Sequence, residues 1–179
     1  MEIALQKPRR ASDWLRLQQL YIRSFPRAER KPFGVIRRMY REGKADIWCI
    51  LADGQFAGLA TTVNGDELVL IDYYAIAENR RGKGLGKAAM ECLLSMYPDR
   101  GVFLEIESPD RPGLDRDQRK KRKEFYLSCG FGELGVKAKV FGVYMELLGV
   151  RCRLDYEGYR RFYGFNMSPW AADHLEEVK

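Results

Sequence analysis

A glycine-rich turn between an apolar strand pattern and a helical one constrains this chain more than any other feature. Leu68 to Ile76 is strand-like and mostly apolar. Arg80-Arg81-Gly82-Lys83-Gly84-Leu85-Gly86-Lys87 follows, and a helical pattern runs from Ala88 to Met96. Glycine lets the backbone come close to a ligand. The N–H groups of a helix's first turn have no partner within the helix, and the positive end of the helix dipole favours an anion there. Arg80, Arg81, Lys83 and Lys87 add cationic charge at the same place. The turn therefore reads as a pyrophosphate cradle on a strand-turn-helix unit.

The rest of the chain orders itself around that unit. Glu2 to Gln6 alternates like a short strand. A helix is predicted from about Ser12, its N-cap, with Trp14, Leu17, Leu20, Tyr21 and Phe25 at helical spacing. Pro26 and the charged run Arg27 to Lys31 end it, and Pro32 opens a second helix carrying Val35, Ile36, Met39 and Tyr40. From Asp46 three strand patterns follow, separated by Asp53-Gly54 and Asn64-Gly65. Both pairs are hairpin signals, so an antiparallel meander is predicted. After the turn, Leu85, Ala89, Cys92, Leu93 and Met96 share one helix face, and Pro98 stops the helix. Val102 to Glu107 is a strand expected to run parallel to the one ending at Ile76, because a helix joins them. A loop from Ser108 to Asp117 leads to a helix ending at Ser128-Cys129 with Gly130 as its cap. Two strands follow within Val136 to Leu148, broken near Phe141-Gly142. The tail from Leu154 is rich in Tyr and Arg, with a short helix expected near Tyr156 to Tyr163.

Several chemistries are excluded early. The single histidine, His174, lies near the C-terminus and rules against a histidine-based triad or a histidine-ligated metal in the core. The four cysteines, Cys49, Cys92, Cys129 and Cys152, stand singly with no ligand spacing, so buried reduced thiols and no metal are expected. No stretch approaches the roughly 20 apolar residues of a membrane span. The first residues lack a signal-peptide layout, so a cytoplasmic protein without membrane association is expected. The net charge of +6 suits an anionic ligand but also nucleic acid or a plain basic surface.

Three ligands compete for the turn. Gly84-Leu85-Gly86-Lys87-Ala88-Ala89 fits a dinucleotide fingerprint, with Glu105 and Glu107 about 20 residues on. Such units, however, usually begin their sheet with that strand and continue through further crossovers, whereas here a meander comes first. A phosphate-binding Walker loop needs four residues between its first glycine and the Gly-Lys pair. Only three separate Gly82 from Gly86, and Ala88 stands where Ser or Thr belongs. The third is coenzyme A: Arg81 to Gly86 is an R-x-x-G-x-G run. At this point the chain resembles the GNAT superfamily of acyl-CoA-dependent N-acetyltransferases. A second match is Phe125-Tyr126-Leu127-Ser128-Cys129-Gly130-Phe131, which resembles that family's F-Y-x-x-x-G-F segment. The order of elements agrees, and the resemblance covers about Ile3 to Leu148.

The resemblance implies an α+β fold of GNAT type: a mixed, twisted sheet of about seven strands with helices on both faces and a splayed central strand pair. Residues 1–150 are expected to form the acetyltransferase domain and 151–179 a C-terminal extension packed on it. It also implies acetyl transfer from acetyl-CoA to a primary amine; a non-catalytic acyl-CoA sensor of the same fold is the alternative. The pantetheine arm would pair with the backbone of Tyr74, Ala75 and Ile76. The pyrophosphate would sit on the N–H groups of Arg81, Gly82, Lys83, Gly84, Leu85, Gly86 and Lys87. A backbone N–H of Ala75 or Ile76 would stabilise the developing oxyanion. Tyr126 matches the family's general acid toward the CoA sulfur, the plain alternative being a core tyrosine.

Asp72 interrupts an apolar strand and shares a face with Tyr74, which is costly unless the carboxylate is paired or faces a cleft. It is either an amine binder or water-mediated base, or a structural partner of an Arg or Lys. Glu105 and Glu107 share a face of their strand, and each either lines the acceptor pocket or is solvated or paired. Where many family members carry Asn after this strand, Ser108 stands here. The run Arg116 to Lys123 is a solvated helix start, a contact for CoA phosphates, or a nucleic-acid surface; no aromatic platform accompanies it, so no nucleic-acid partner is expected. The segment Phe25 to Phe33 often covers the acceptor pocket in the family, so its charges either select substrate or cap helices. The expected partner is a small-molecule or peptide amine, and a homodimer is compatible with the family.

Overall fold

The structure is a computed structural model and describes residues 1–178. Its elements are β1 (Ile3–Gln6), α1 (Ala11–Ser24), α2 (Phe33–Arg41), β2 (Ala45–Ala52), β3 (Gln55–Asn64), β4 (Leu68–Ile76), α3 (Leu85–Ser95), β5 (Gly101–Glu107), α4 (Arg116–Ser128), β6 (Gly132–Val140), β7 (Val143–Val150), α5 (Tyr156–Asn166), α6 (Pro169–Ala172) and β8 (Leu175–Glu177). The eight strands form one mixed sheet in the order β1-β2-β3-β4-β5-β7-β6-β8. The strand beyond the expected seven is β8, contributed by the tail. The chain divides into two compact units, Met1–Asn64 with Ile71–Pro98, and Gly65–Leu70 with Asp99–Lys179. Among the described residues no helix is long and apolar enough to cross a membrane.

In the first unit β1 and β2 pair antiparallel, as do β2 and β3. Asp53 and Gly54 both take positive φ (50° and 73°), the backbone of a two-residue hairpin turn whose twist suits the flanking strands. Leu17 and Tyr21 of α1 and Ile36 of α2 pack on Ile47, Cys49, Leu59, Tyr73 and Ala75. Tyr73 meets the rings of Tyr21 and Phe25, whereas its neighbour Tyr74 donates from its hydroxyl to the Gly86 carbonyl of α3 at 2.6 Å. Adjacent strand residues face opposite ways, so α1 and α3 cover opposite faces of β4. Helix α1 begins at Ala11, earlier than a Ser12 cap predicts. Asp13 accepts from the N–H groups of Arg9 and Arg10 and closes that end instead.

In the second unit β5 pairs antiparallel with β7, β7 with β6, and β6 with β8. Phe141 and Gly142 (φ 48° and 84°) make the predicted turn between β6 and β7. The Asn64-Gly65 signal behaves differently. The turn spans Gly65 to Leu68, with the Gly65 N–H donating to the Leu68 carbonyl at 2.9 Å. Glycine is needed there for close approach, because a Cβ would lie 2.8 Å from the Phe162 ring of α5. The tail helix runs on to Asn166, with Asp155 capping it through the Gly158 N–H at 2.7 Å.

Candidate active site

The turn after β4 is exposed from Arg81 to Gly84. A 3-10 turn at Glu78–Arg80 uses the N–H groups of Arg80 and Arg81. Gly82 and Gly84 then adopt left-handed φ of 81° and 72°, and Gly84 is the residue from which α3 starts. Among the described residues, nothing accepts from the backbone N–H groups of Gly82, Lys83, Gly84, Leu85, Gly86 or Lys87. Six successive backbone donors without an acceptor at a helix N-terminus, exposed at Gly82, Lys83, Gly84 and Lys87, fit a diphosphate. A Cβ placed on Gly82 or Gly84 would meet nothing within 4 Å, so that space is open.

The four cations of the turn divide. Arg80 hydrogen-bonds Gln55. The Arg81 side chain folds back, its Nε donating to the Ile76 carbonyl at 3.0 Å. Lys83 and Lys87 have no ion-pair partner among the described residues. Arg81 thus ties the turn to the end of β4 and occupies a carbonyl that the sequence reading offers to pantetheine. The Ala75 carbonyl approaches β3 closely: a Cβ on Gly58 would lie 2.5 Å from it.

Asp72 is ion-paired. Lys31, between α1 and α2, places its ammonium 2.6 Å from Asp72 Oδ1, and the Asp72 side chain is 9% exposed. The Lys31 N–H donates to the Tyr73 hydroxyl at 3.1 Å, which itself donates to the Glu29 carbonyl at 2.9 Å. The Tyr21 hydroxyl donates to the Lys31 carbonyl at 2.9 Å. Burial, with the Asp72 charge close by, pushes the Tyr73 phenol far above the usual tyrosine range; burial pushes Tyr21 up to about 12. Lys31 is a residue the sequence did not single out; the only signal for it is its place in the charged Arg27–Lys31 run.

Tyr126 is buried in the last turns of α4, with Phe125 and Phe131 rings 5.1 and 5.9 Å away. Burial raises its phenol to about 12, partly opposed by Arg122 one turn earlier. Its hydroxyl has no hydrogen-bond partner among the described residues, so its proton is not committed within the protein. Gly130 (φ 91°) lets the chain leave the helix, and the Phe131 N–H returns to the Tyr126 carbonyl at 3.2 Å.

Glu105 accepts from two tail tyrosines, Tyr159 at 2.5 Å and Tyr163 at 2.6 Å, both on α5 and both essentially inaccessible. Glu107 pairs with Arg119 at 3.3 Å. Arg119 departs from the solvated-face expectation for its helix. It is 4% exposed and also donates to the carbonyls of Ser108 and Arg111. Ser108 is buried and donates to Glu146 at 2.6 Å, while Lys123 bridges Glu146 and Glu133. The exposed cations of α4 are Arg116, Lys120, Lys121 and Arg122. Among the described residues no group of three or more His, Cys, Asp or Glu side chains converges as a metal site.

The profile of the acetyltransferase (GNAT) family matches residues 14–131, which contain both the turn and Tyr126. The chain belongs to the acetyltransferase (GNAT) family. As a GNAT acyltransferase it is similar in fold to solved members. One from Bacteroides thetaiotaomicron has a TM-score of 0.77 at 22% identity, covering 92% of this chain and 97% of that one. Arabidopsis thaliana Naa50, solved with the bisubstrate analogue CoA-Ac-MVNAL, gives 0.63 at 13% identity over 85% of this chain and 100% of its own. The Escherichia coli ribosomal-protein-S18-alanine N-acetyltransferase gives 0.63 at 15% identity over 86% and 96%. No curated protein sequence matches the chain.

Proposed function

We propose that this GNAT enzyme moves an acetyl group from acetyl-CoA to a primary amine. The observation that carries the reading is the run of backbone N–H groups from Gly82 to Lys87, at the start of α3, that find no acceptor among the described residues. Those groups hold the diphosphate, with Lys83 and Lys87 as counter-charges. Family membership supports acetyl transfer, and the peptide-linked CoA analogue bound by Naa50 supports an amine acceptor.

Bound acetyl-CoA supplies an activated acyl group as its thioester; everything else falls to side chains of this chain. Tyr126, protonated up to about 12, donates to the departing sulfur. A backbone N–H at Ala75 or Ile76 polarises the thioester carbonyl. Asp72 is the amine anchor. It already holds a primary ammonium, that of Lys31, and an acceptor of the same chemistry takes that place. Glu105, held by Tyr159 and Tyr163, and Glu107, paired with Arg119, are the further carboxylates proposed to favour a cationic acceptor.

Calorimetry with acetyl-CoA and CoA at low ionic strength tests the cradle, and thiol release with a panel of polyamines, amino acids and peptides tests the transfer. Binding heat with at least one amine accelerating thiol release is expected. Absence of heat with both carriers would refute the reading.

A further inference from the structure

Helices α1 and α2 lie side by side, the Trp14 and Tyr40 rings meeting at 5.5 Å and the Arg37 guanidinium standing 4.8 Å from the Trp14 ring centroid. Leu17 and Tyr21 of α1 and Ile36 of α2 go to the core. On the opposite side α1 therefore turns out Leu15, Arg16, Ile22 and Arg23, and α2 turns out Arg37, Arg38 and Arg41. All seven are exposed, Leu15 by 58% and Ile22 by 50%. Positive charge gathers on this layer. Residues 9–44 hold eleven Lys and Arg against three Asp and Glu, while the rest of the chain holds twenty against twenty-two. A helix face that meets only water ordinarily mixes both signs, because like charges four residues apart repel. Arg37 and Arg41 are four apart, and among the described residues only Arg38 of these five arginines has an ion-pair partner, Glu42 at 3.8 Å.

We propose that the outer face of α1 and α2 docks an acidic amphipathic helix of a partner protein. Its carboxylates meet the guanidinium groups of Arg16, Arg23, Arg37 and Arg41, and its apolar stripe covers Leu15 and Ile22. The docking does not depend on the acyl-carrier reading above. A guanidinium offers paired donors that match a carboxylate, so a row of acidic side chains relieves the repulsion this face carries when free. Leu15 and Ile22 stand two turns apart, about 10 Å, which is the spacing of successive anchors at i and i+7 on an incoming helix. A nucleic acid uses the arginines but leaves both aliphatic side chains without a partner. The nearest indole, that of Trp14, already lies beneath Arg37 and offers no open platform for a base. An anionic bilayer needs a wider apolar face than two side chains provide.

The full-length protein is titrated into a fluorescently labelled helical peptide of Glu, Ala and Leu with Leu at every seventh position, and anisotropy is read at about 50 mM salt. The comparison probes are the same composition scrambled, a single-stranded oligouridylate and vesicles containing phosphatidylserine. The patterned peptide is expected to bind most tightly, and Arg37→Glu with Arg41→Glu to weaken it at least about tenfold. Leu15→Ser with Ile22→Ser is expected to weaken it about fivefold while leaving its salt dependence unchanged. Thermal melts and acetyl-CoA calorimetry on each variant are expected to match wild type, which separates loss of docking from loss of the fold or of the cradle. Absence of peptide binding, or binding that both arginine substitutions leave unchanged, overturns the inference. Equal affinity for the scrambled peptide also overturns it, as does tighter binding of the oligouridylate or of the vesicles. None of these results touches the acyl-carrier reading, which fails only if acetyl-CoA and CoA give no heat.

Discussion

Replacing Gly84 by Ala separates the structural role of this residue from its role in binding. Gly84 has φ 72°, and a Cβ there meets nothing within 4 Å. The free protein therefore bears only the left-handed backbone strain, about 1 kcal/mol. For a chain of this size that lowers the melting temperature by about 3 °C. Gly43 is the control: it has φ 73° and equally open surroundings, but lies in the turn between α2 and β2. Gly43→Ala should lose the same stability. The ligand sees a different change, since a methyl group at residue 84 stands among the six donors. If it displaces the diphosphate from two charge-assisted hydrogen bonds, about 3 kcal/mol of binding is lost, roughly 100-fold in Kd. Thermal melts and acetyl-CoA calorimetry on both variants measure the two quantities. Equal melting shifts with weakened binding only in Gly84→Ala are expected; equal affinity for both variants would refute the cradle.

Tyr126→Phe should lower turnover about 100-fold while leaving CoA affinity unchanged, measured by steady-state thiol release and calorimetry. Because burial holds the phenol protonated up to about 12, the wild-type rate should show no falling limb from this group between about pH 7 and 10. Lys31→Gln leaves the largely buried Asp72 without its counter-charge and should cost about 3 kcal/mol in denaturant unfolding. Gly65→Ala should cost about 1–3 kcal/mol, because its Cβ would press on Phe162 at 2.8 Å. For Asp46, burial raises the carboxyl pKa, but hydrogen bonds from Lys7 and Asn64 and the Lys7 charge outweigh it, leaving the pKa below the usual value. A depressed pKa stabilises the fold above the unfolded pKa and stops doing so as pH falls through the folded one. Asp46→Asn should therefore lose most stability at neutral pH, with the gap to wild type closing below about pH 4 in urea titrations.

The local signals were reliable where a backbone conformation needs a particular residue. Asp53-Gly54 and Phe141-Gly142 make the expected turns, Gly130 ends α4, and Gly82 and Gly84 shape the turn before α3. They misled where a residue's reason for being there is tertiary. Gly65 looked like the second residue of an Asn-Gly hairpin, yet it is small because Phe162 of the tail packs against it. Arg119 sits in a run of charges that reads as a wet helix start. Its burial follows from Glu107, Ser108 and Arg111, which α4 itself does not contain. Arg81 looked like a phosphate ligand and turns back to the Ile76 carbonyl.

The amino-acid order by itself determined the family's architecture and the glycine-shaped turn before α3. Both depend on neighbours in the chain, through strand and helix periodicity and through glycines that alone tolerate positive φ. Only the tertiary structure decided the fate of the carboxylates. Asp72 meets Lys31 across 41 residues, and Glu105 meets Tyr159 and Tyr163 across 54 and 58. A buried charge settles on whichever partner the fold brings within hydrogen-bonding distance, and that distance has no counterpart in local spacing.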